Sequence, residues 1–73
     1  MKANEVWTAT LDDKYTVTVT RDAPYRGVFT ITEGEQVLYR ESVGLRYNAQ
    51  FGPDVDDVES WQEIAERFVD GRR

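Results

Sequence analysis

The sequence predicts an α+β fold: an antiparallel four-stranded meander, with a fifth short strand as an alternative, followed by one C-terminal amphipathic helix on one face. Three observations predict it. Apolar and polar residues alternate from Trp7 to Ile31, as in half-buried strands. Turn residues interrupt this alternation at short intervals. After Gly52-Pro53, apolar residues recur with helical spacing. We expect the 73 residues to form a single small domain.

The first three strands are predicted over residues 5–11, 15–21 and 26–32. Pairing Leu11 with Tyr15, and Val19 with Phe29, aligns like side chains on both faces. The outer face then carries all seven threonines, namely Thr8, Thr10, Thr16, Thr18, Thr20, Thr30 and Thr32. The inner face carries Trp7, Ala9, Leu11, Tyr15, Val17, Val19, Phe29 and Ile31.

The fourth strand is predicted over residues 36–43, after a turn in which Gly34 can adopt a positive φ. Its alternation places Val37, Tyr39 and Val43 inward, and Leu38, Arg40 and Ser42 outward. The alternation continues over residues 45–51. This stretch predicts a bent continuation of the fourth strand, a short fifth strand after a bulge at Gly44, or a loop that holds aromatic side chains against the core. A bent or bulged strand followed by a loop is the preferred interpretation.

The helix is predicted over residues 55–70. Its apolar stripe consists of Val58, Trp61, Ile64, Ala65, Phe68 and Val69, which should pack on the inner face of the sheet. Asp54, Asp56 and Asp57 are N-cap candidates, and Gly71 is the expected residue just after the helix.

Composition limits the possible functions. The chain has no cysteine and no histidine, so the sequence predicts no enzyme, no cofactor and no Cys/His metal site. A net charge of −5 disfavours direct binding to nucleic acids or anionic membranes. Without an apolar run of membrane-spanning length, we expect a soluble cytoplasmic protein. Seven arginines against two lysines suggest a bacterial or phage origin.

The acidic helix is the candidate functional feature. Residues 54–73 contain seven acids and three bases, which accounts for −4 of the net charge. The helix dipole favours acids in the first turn only, and like charges four residues apart destabilise a helix. We therefore predict that a basic partner protein binds the side of the helix opposite the apolar stripe. Its residues are Asp56, Glu59, Glu63, Glu66 and Asp70.

Two other functions stay open. The acidic helix could mimic nucleic-acid phosphates and block a DNA- or RNA-binding protein. Alternatively, a pocket between Tyr39, Tyr47, Phe51 and the helix could make the protein a small ligand carrier or a small enzyme. The threonine face, with Val6, Val28 and Leu38, could receive another sheet or a partner. We expect a monomer or a homodimer paired through an edge strand.

Two further patterns are interpreted structurally. The run from Asp54 to Asp57 lacks the glycine of a calcium loop and suits helix capping better. Aromatic and guanidinium groups of the kind that bind nucleic acids are scattered over several predicted elements, namely Tyr25, Arg26, Arg40, Arg46 and Tyr47.

Overall fold

A computed structural model describes residues 4–45 and 54–72 of the chain. One antiparallel sheet has the order β1-β2-β3-β4 and contains β1 (Glu5–Leu11), β2 (Tyr15–Ala23), β3 (Arg26–Glu33) and β4 (Gln36–Gly44). The helix α1 (Val55–Arg72) follows. The predicted α+β fold is confirmed. The stretch predicted as a fifth strand or loop lies, after Leu45, outside the described residues.

The pairing of the first three strands follows the predicted register. Leu11 lies opposite Tyr15, and Val19 lies opposite both Trp7 and Phe29. Inward side chains from β2 and β3 are buried, namely Tyr15, Val17, Val19, Phe29 and Ile31. The threonines pair on the other face, where Thr18 lies between Thr8 and Thr30. The predicted division of these strands into an apolar and a threonine face is confirmed.

Helix α1 covers the apolar face. Asp54 is its N-cap, because Asp54 Oδ1 accepts a hydrogen bond of 2.7 Å from the backbone N–H of Asp56. Its most buried side chains recur every four residues and are Trp61, Ala65 and Val69. The expected end at Gly71 is wrong, because α1 continues through Gly71 to Arg72. Gly71 does not adopt the left-handed φ by which a glycine ends a helix, so the helical hydrogen bonding continues past it.

A bulge in β4 changes which residues of this strand point toward the core, so part of the prediction for the fourth strand is wrong. Ile31 pairs with Tyr39 and Thr32 pairs with Val37, which leaves Leu38 as an extra residue. Leu38 packs against the core, whereas Val37 lies on the threonine face and is 54% exposed. The predicted positions of Val37 and Leu38 are therefore wrong, because one inserted residue reverses the facing of the residues before it. The inward positions of Tyr39 and Val43 are confirmed.

A second register shift lies in β1. Glu5 pairs with Thr20 and Trp7 pairs with Val19, so Val6 has no partner of its own and packs against the core. The prediction that Val6 belongs to the threonine face is therefore wrong. As with Leu38, an extra residue in the strand turns the side chain toward the core. Each edge strand thus adds one apolar side chain to the small core through an irregular pairing.

The chain reverses between β1 and β2 with two residues in the left-handed region. Asp12 has a φ of 54° and Asp13 a φ of 58°, while the Lys14 N–H donates to the Leu11 carbonyl oxygen at 3.1 Å. Aspartate tolerates this conformation better than most residues because its short side chain can bond locally. The predicted positive φ of Gly34 in the β3–β4 turn is confirmed at 61°.

Candidate functional site

The five predicted partner-binding residues form one exposed surface, which we call the acidic face. Burial of Trp61, Ala65 and Val69 fixes the orientation of α1 about its axis. Side chains on the opposite side must then point to solvent. All five are exposed, namely Asp56, Glu59, Glu63, Glu66 and Asp70.

One arginine partly offsets the charge of the acidic face. The Arg67 guanidinium bonds to Glu63 Oε2 at 3.0 Å, and both side chains are exposed. Arg72 lies over the ring of Phe68 instead, with its guanidinium carbon 5.7 Å from the ring centroid. Within the part of the chain that the structure describes, Glu59 and Glu66 form no ion pair. The acidic face therefore keeps carboxylates that no described base neutralises.

The acidic face is displaced toward the β1 edge of the sheet. Trp61 lies beside Trp7 near the start of β1, with ring centroids 5.7 Å apart. Val69 and Leu11, at the end of β1, line one cleft, so α1 runs beside β1 in the same direction. At 100° per residue, Glu66 and Asp70 project on the β1 side of the buried stripe.

Two clefts lie between β1 and α1. One has a volume of about 200 Å³ and is lined by Trp7, Ala9, Thr10, Leu11, Val17, Gln62, Ala65 and Glu66. The other has a volume of about 250 Å³ and is lined by Leu11, Glu66, Val69 and Asp70. Because both share Leu11 and Glu66, we treat them as one feature and call it the edge groove. It combines an apolar floor with an acidic wall.

Sequence reasoning missed the edge groove. Trp7, Ala9 and Leu11 were expected inside, yet all three are only half-buried because β1 is an edge strand. Ala9 is the one signal the sequence offers, since it is the smallest inward residue between two large ones and leaves space beside the helix.

The three described residues of the predicted nucleic-acid set do not form one cluster. Arg26 bonds to Asp22 at 3.0 Å, Arg40 lies opposite Thr30 on the outer face, and Tyr25 is 65% exposed. Tyr25 and Arg26 are neighbours where β3 begins, whereas Arg40 lies further along the sheet in β4. The remaining members of the predicted nucleic-acid set, Arg46 and Tyr47, lie outside the described residues.

The predicted ligand pocket is described only at Tyr39. Its ring packs between Phe29 and Phe68, with centroid distances of 6.1 Å and 5.6 Å. Tyr39 Oη donates a hydrogen bond to Glu41 Oε1 at 2.5 Å, and this bond is the main reason that the pKa of Tyr39 is raised. Tyr47 and Phe51 lie outside the described residues.

The described ranges contain no group of three or more metal-binding side chains placed to hold an ion. Within residues 4–45 and 54–72, no helix has the length and apolarity needed to cross a bilayer.

In comparisons with known proteins, no family model matches the chain, and neither a curated protein nor a solved structure matches it. The geometry and chemistry of the chain itself must indicate the function.

Proposed function

We propose that the protein is a small non-catalytic binding module that engages a basic partner protein through the acidic face of α1. The observation that carries this proposal is the exposure of all five carboxylates on one side of a helix whose opposite side is anchored in the core. A surface of single charge sign accelerates association with an oppositely charged partner and excludes partners of like charge.

Helix stability gives no reason for this arrangement. Glu59 and Glu63, and likewise Glu66 and Asp70, are like-charge neighbours four residues apart. Each such pair destabilises a helix by about 0.2–0.5 kcal/mol. The Glu63–Arg67 bond contributes a similar amount of opposite sign, and only once. Lysine at one of these positions would stabilise α1, so the single charge sign of these four residues favours a binding role over a structural one.

The alternative of a nucleic-acid mimic has weaker support. Asp56 and Asp70 are 14 residues apart, which corresponds to about 21 Å along the helix. Five carboxylates over that length give about one charge per 5 Å, whereas one strand of DNA carries one charge per about 3.4 Å. The acidic face is less densely charged than a phosphate backbone, so a basic protein surface is the better match.

Two double variants of equal charge test the proposal. Glu59→Lys/Glu66→Lys changes the acidic face, and Glu35→Lys/Glu41→Lys changes exposed residues of the β3–β4 turn and of β4, at the opposite edge of the sheet from β1. Each raises the net charge by four units above the wild-type value of −5. The wild-type chain and both variants are immobilised, and proteins captured from a lysate of the source organism are identified by mass spectrometry. Circular dichroism confirms that the variants are folded.

We expect the wild type and Glu35→Lys/Glu41→Lys to capture the same basic protein, and Glu59→Lys/Glu66→Lys to lose it. Equal loss in both variants would mean that only net charge matters, and equal retention would mean that another surface binds. Either result refutes the proposal. Release of the captured protein by duplex DNA would instead support the phosphate-mimic alternative.

A further inference from the structure

We infer that the partner presents an extended basic segment, which adds as a strand to the edge of β1 and lays alternate lysine or arginine side chains in the edge groove. This inference rests on the proposed function and specifies the form of the partner. It follows from three features that meet at one place: a strand edge, an apolar floor and an acidic wall.

The strand edge is supplied by β1. Among the described residues β1 pairs with β2 alone, so its other side presents backbone N–H and C=O groups to an incoming chain. Extended peptides bind such edges through main-chain hydrogen bonds, about 4.8 Å from the neighbouring strand. Side chains of the added strand then alternate between the two faces of the sheet.

The edge groove determines which side chains of the added strand can bind on the inner face of the sheet. Leu11 and Glu66 line both of its clefts, so an apolar surface directly adjoins a carboxylate. Lysine and arginine match this combination because their aliphatic stems cover apolar surface while the charged end reaches outward. Glu66 and Asp70 lie where that charged end would arrive.

The length of the groove sets the length of the segment. Trp7 to Leu11 spans four residue steps, or about 13 Å of extended chain. An added strand of about five residues therefore covers the groove and places three side chains on the inner face. Half-buried Ala9 leaves the most space at the middle of the three. On the other face, the added strand would continue the row of Thr8 and Thr10.

Charge argues against a second copy of this chain as the occupant. Pairing of two β1 strands about a two-fold axis would bring the Glu66 and Asp70 sides of two chains, each with a net charge of −5, toward one another. Like charges brought together in this way disfavour association. A basic segment instead neutralises the acidic wall that it meets.

The probe is the peptide acetyl-Thr-Arg-Thr-Arg-Thr-Arg-Thr-amide, added to the isotope-labelled full chain at low salt and followed by NMR. Two further peptides have the same sequence with alternate backbone nitrogens methylated, one on the arginines and one on the threonines between them. Methylation removes hydrogen-bond donors from one edge of an extended strand and leaves the charge unchanged. These controls need no change in the protein.

Strand addition predicts that the parent peptide shifts the amide signals of β1 and the indole signal of Trp7. One methylated peptide should bind at least about tenfold more weakly than the other, because only one edge faces β1. Glu66→Gln should weaken the parent peptide about two- to fivefold, and the matched variant Glu63→Gln, outside the groove, should weaken it less.

Equal binding of both methylated peptides, with affinity still lost in Glu59→Lys/Glu66→Lys, would overturn strand addition and leave the proposed function standing. Failure of the parent peptide to bind would also overturn it. If capture of the basic partner is in addition unaffected by Glu59→Lys/Glu66→Lys, the proposed function fails as well. Shifts of the β1 amides with protein concentration alone would identify a second copy as the occupant and refute the inference.

Discussion

Leu11 of β1 and Glu66 of α1 line both clefts between the edge strand and the helix, so an apolar residue and an acidic residue border the same groove. Glu66 also has like-charge neighbours at Glu63 and Asp70. Removing its charge should therefore raise the free energy of unfolding by about 0.2–0.5 kcal/mol for each repulsion relieved. Urea denaturation of Glu66→Gln, followed by circular dichroism, measures this change.

The matched control is Glu63→Gln. This substitution relieves two similar repulsions, with Glu59 and Glu66, but also removes the bond between Glu63 and Arg67, so it should stabilise the fold only about half as much as Glu66→Gln. A Glu66→Gln variant less stable than the wild type would show that Glu66 has a structural role, and the argument that the acidic face is kept for binding would lose its main support.

The bulge in β4 predicts opposite responses at two adjacent residues. Leu38→Thr removes apolar surface from the core and should lower the free energy of unfolding by about 1–3 kcal/mol. Val37→Thr changes an exposed side chain that lies opposite Thr32, and its effect should be within about 0.5 kcal/mol. Denaturation of the two variants, side by side, reports which residue faces the core. The reverse order of stabilities would mean that β4 has no bulge at this position.

Two glycines in different environments form another matched pair. A Cβ at Gly27 would lie 2.7 Å from the Thr20 carbonyl oxygen and against the Leu45 side chain, so Gly27→Ala should cost about 1–3 kcal/mol. Gly71→Ala meets open space within α1 and should stabilise the protein by up to about 1 kcal/mol. Thermal unfolding checks both. Equal tolerance of alanine at the two sites would contradict the packing of Leu45 over Gly27.

The bond between Tyr39 and Glu41 predicts a change in stability at alkaline pH. The hydrogen bond to the Glu41 carboxylate, followed by burial, raises the pKa of Tyr39 above its ordinary value of 10.0. Because the protonated form is favoured in the folded state, this contribution is fully present below pH 10 and is lost as the pH rises through the higher folded value.

NMR titration of the Tyr39 ring in wild type and in Glu41→Gln measures this pKa directly. We expect the substitution to lower it toward the ordinary tyrosine value, because both the charge and the strongest acceptor are removed. Glu35→Gln, a change at an exposed turn residue, serves as the control and should leave the Tyr39 titration unchanged. An unaltered titration in Glu41→Gln would mean that the hydrogen bond is not formed in solution.

Most of the sheet could be predicted from the sequence because the alternation of apolar and polar residues determines both the face on which each side chain lies and the register in which the strands pair. A slip of one residue between β1 and β2 would expose Val17 and bury Thr18, so one pairing is strongly favoured. The bulges at Val6 and Leu38 could not be predicted in this way. Each bulge turns one more apolar side chain toward the core. Whether the core has room for that side chain depends on its packing as a whole, which the local sequence pattern does not describe.

The same distinction applies to the candidate site, of which one part could be predicted from the sequence and the other could not. The acidic face could be predicted because helical periodicity alone places Glu59, Glu63 and Glu66 opposite Trp61. The edge groove could not, because it depends on where α1 lies across the sheet. That position follows from packing between residues far apart in the chain, such as Trp7 with Trp61.

Carboxyl footprinting of the complex with the captured basic partner tests the central claim most directly. Exposed carboxylates are coupled to glycine ester with a carbodiimide, and the modified residues are quantified by mass spectrometry with and without the partner. We predict lower modification at Glu59, Glu63 and Glu66 in the complex, with Glu35 and Glu41 unchanged. Unchanged modification of the helix carboxylates, together with protection elsewhere on the chain, would contradict the account.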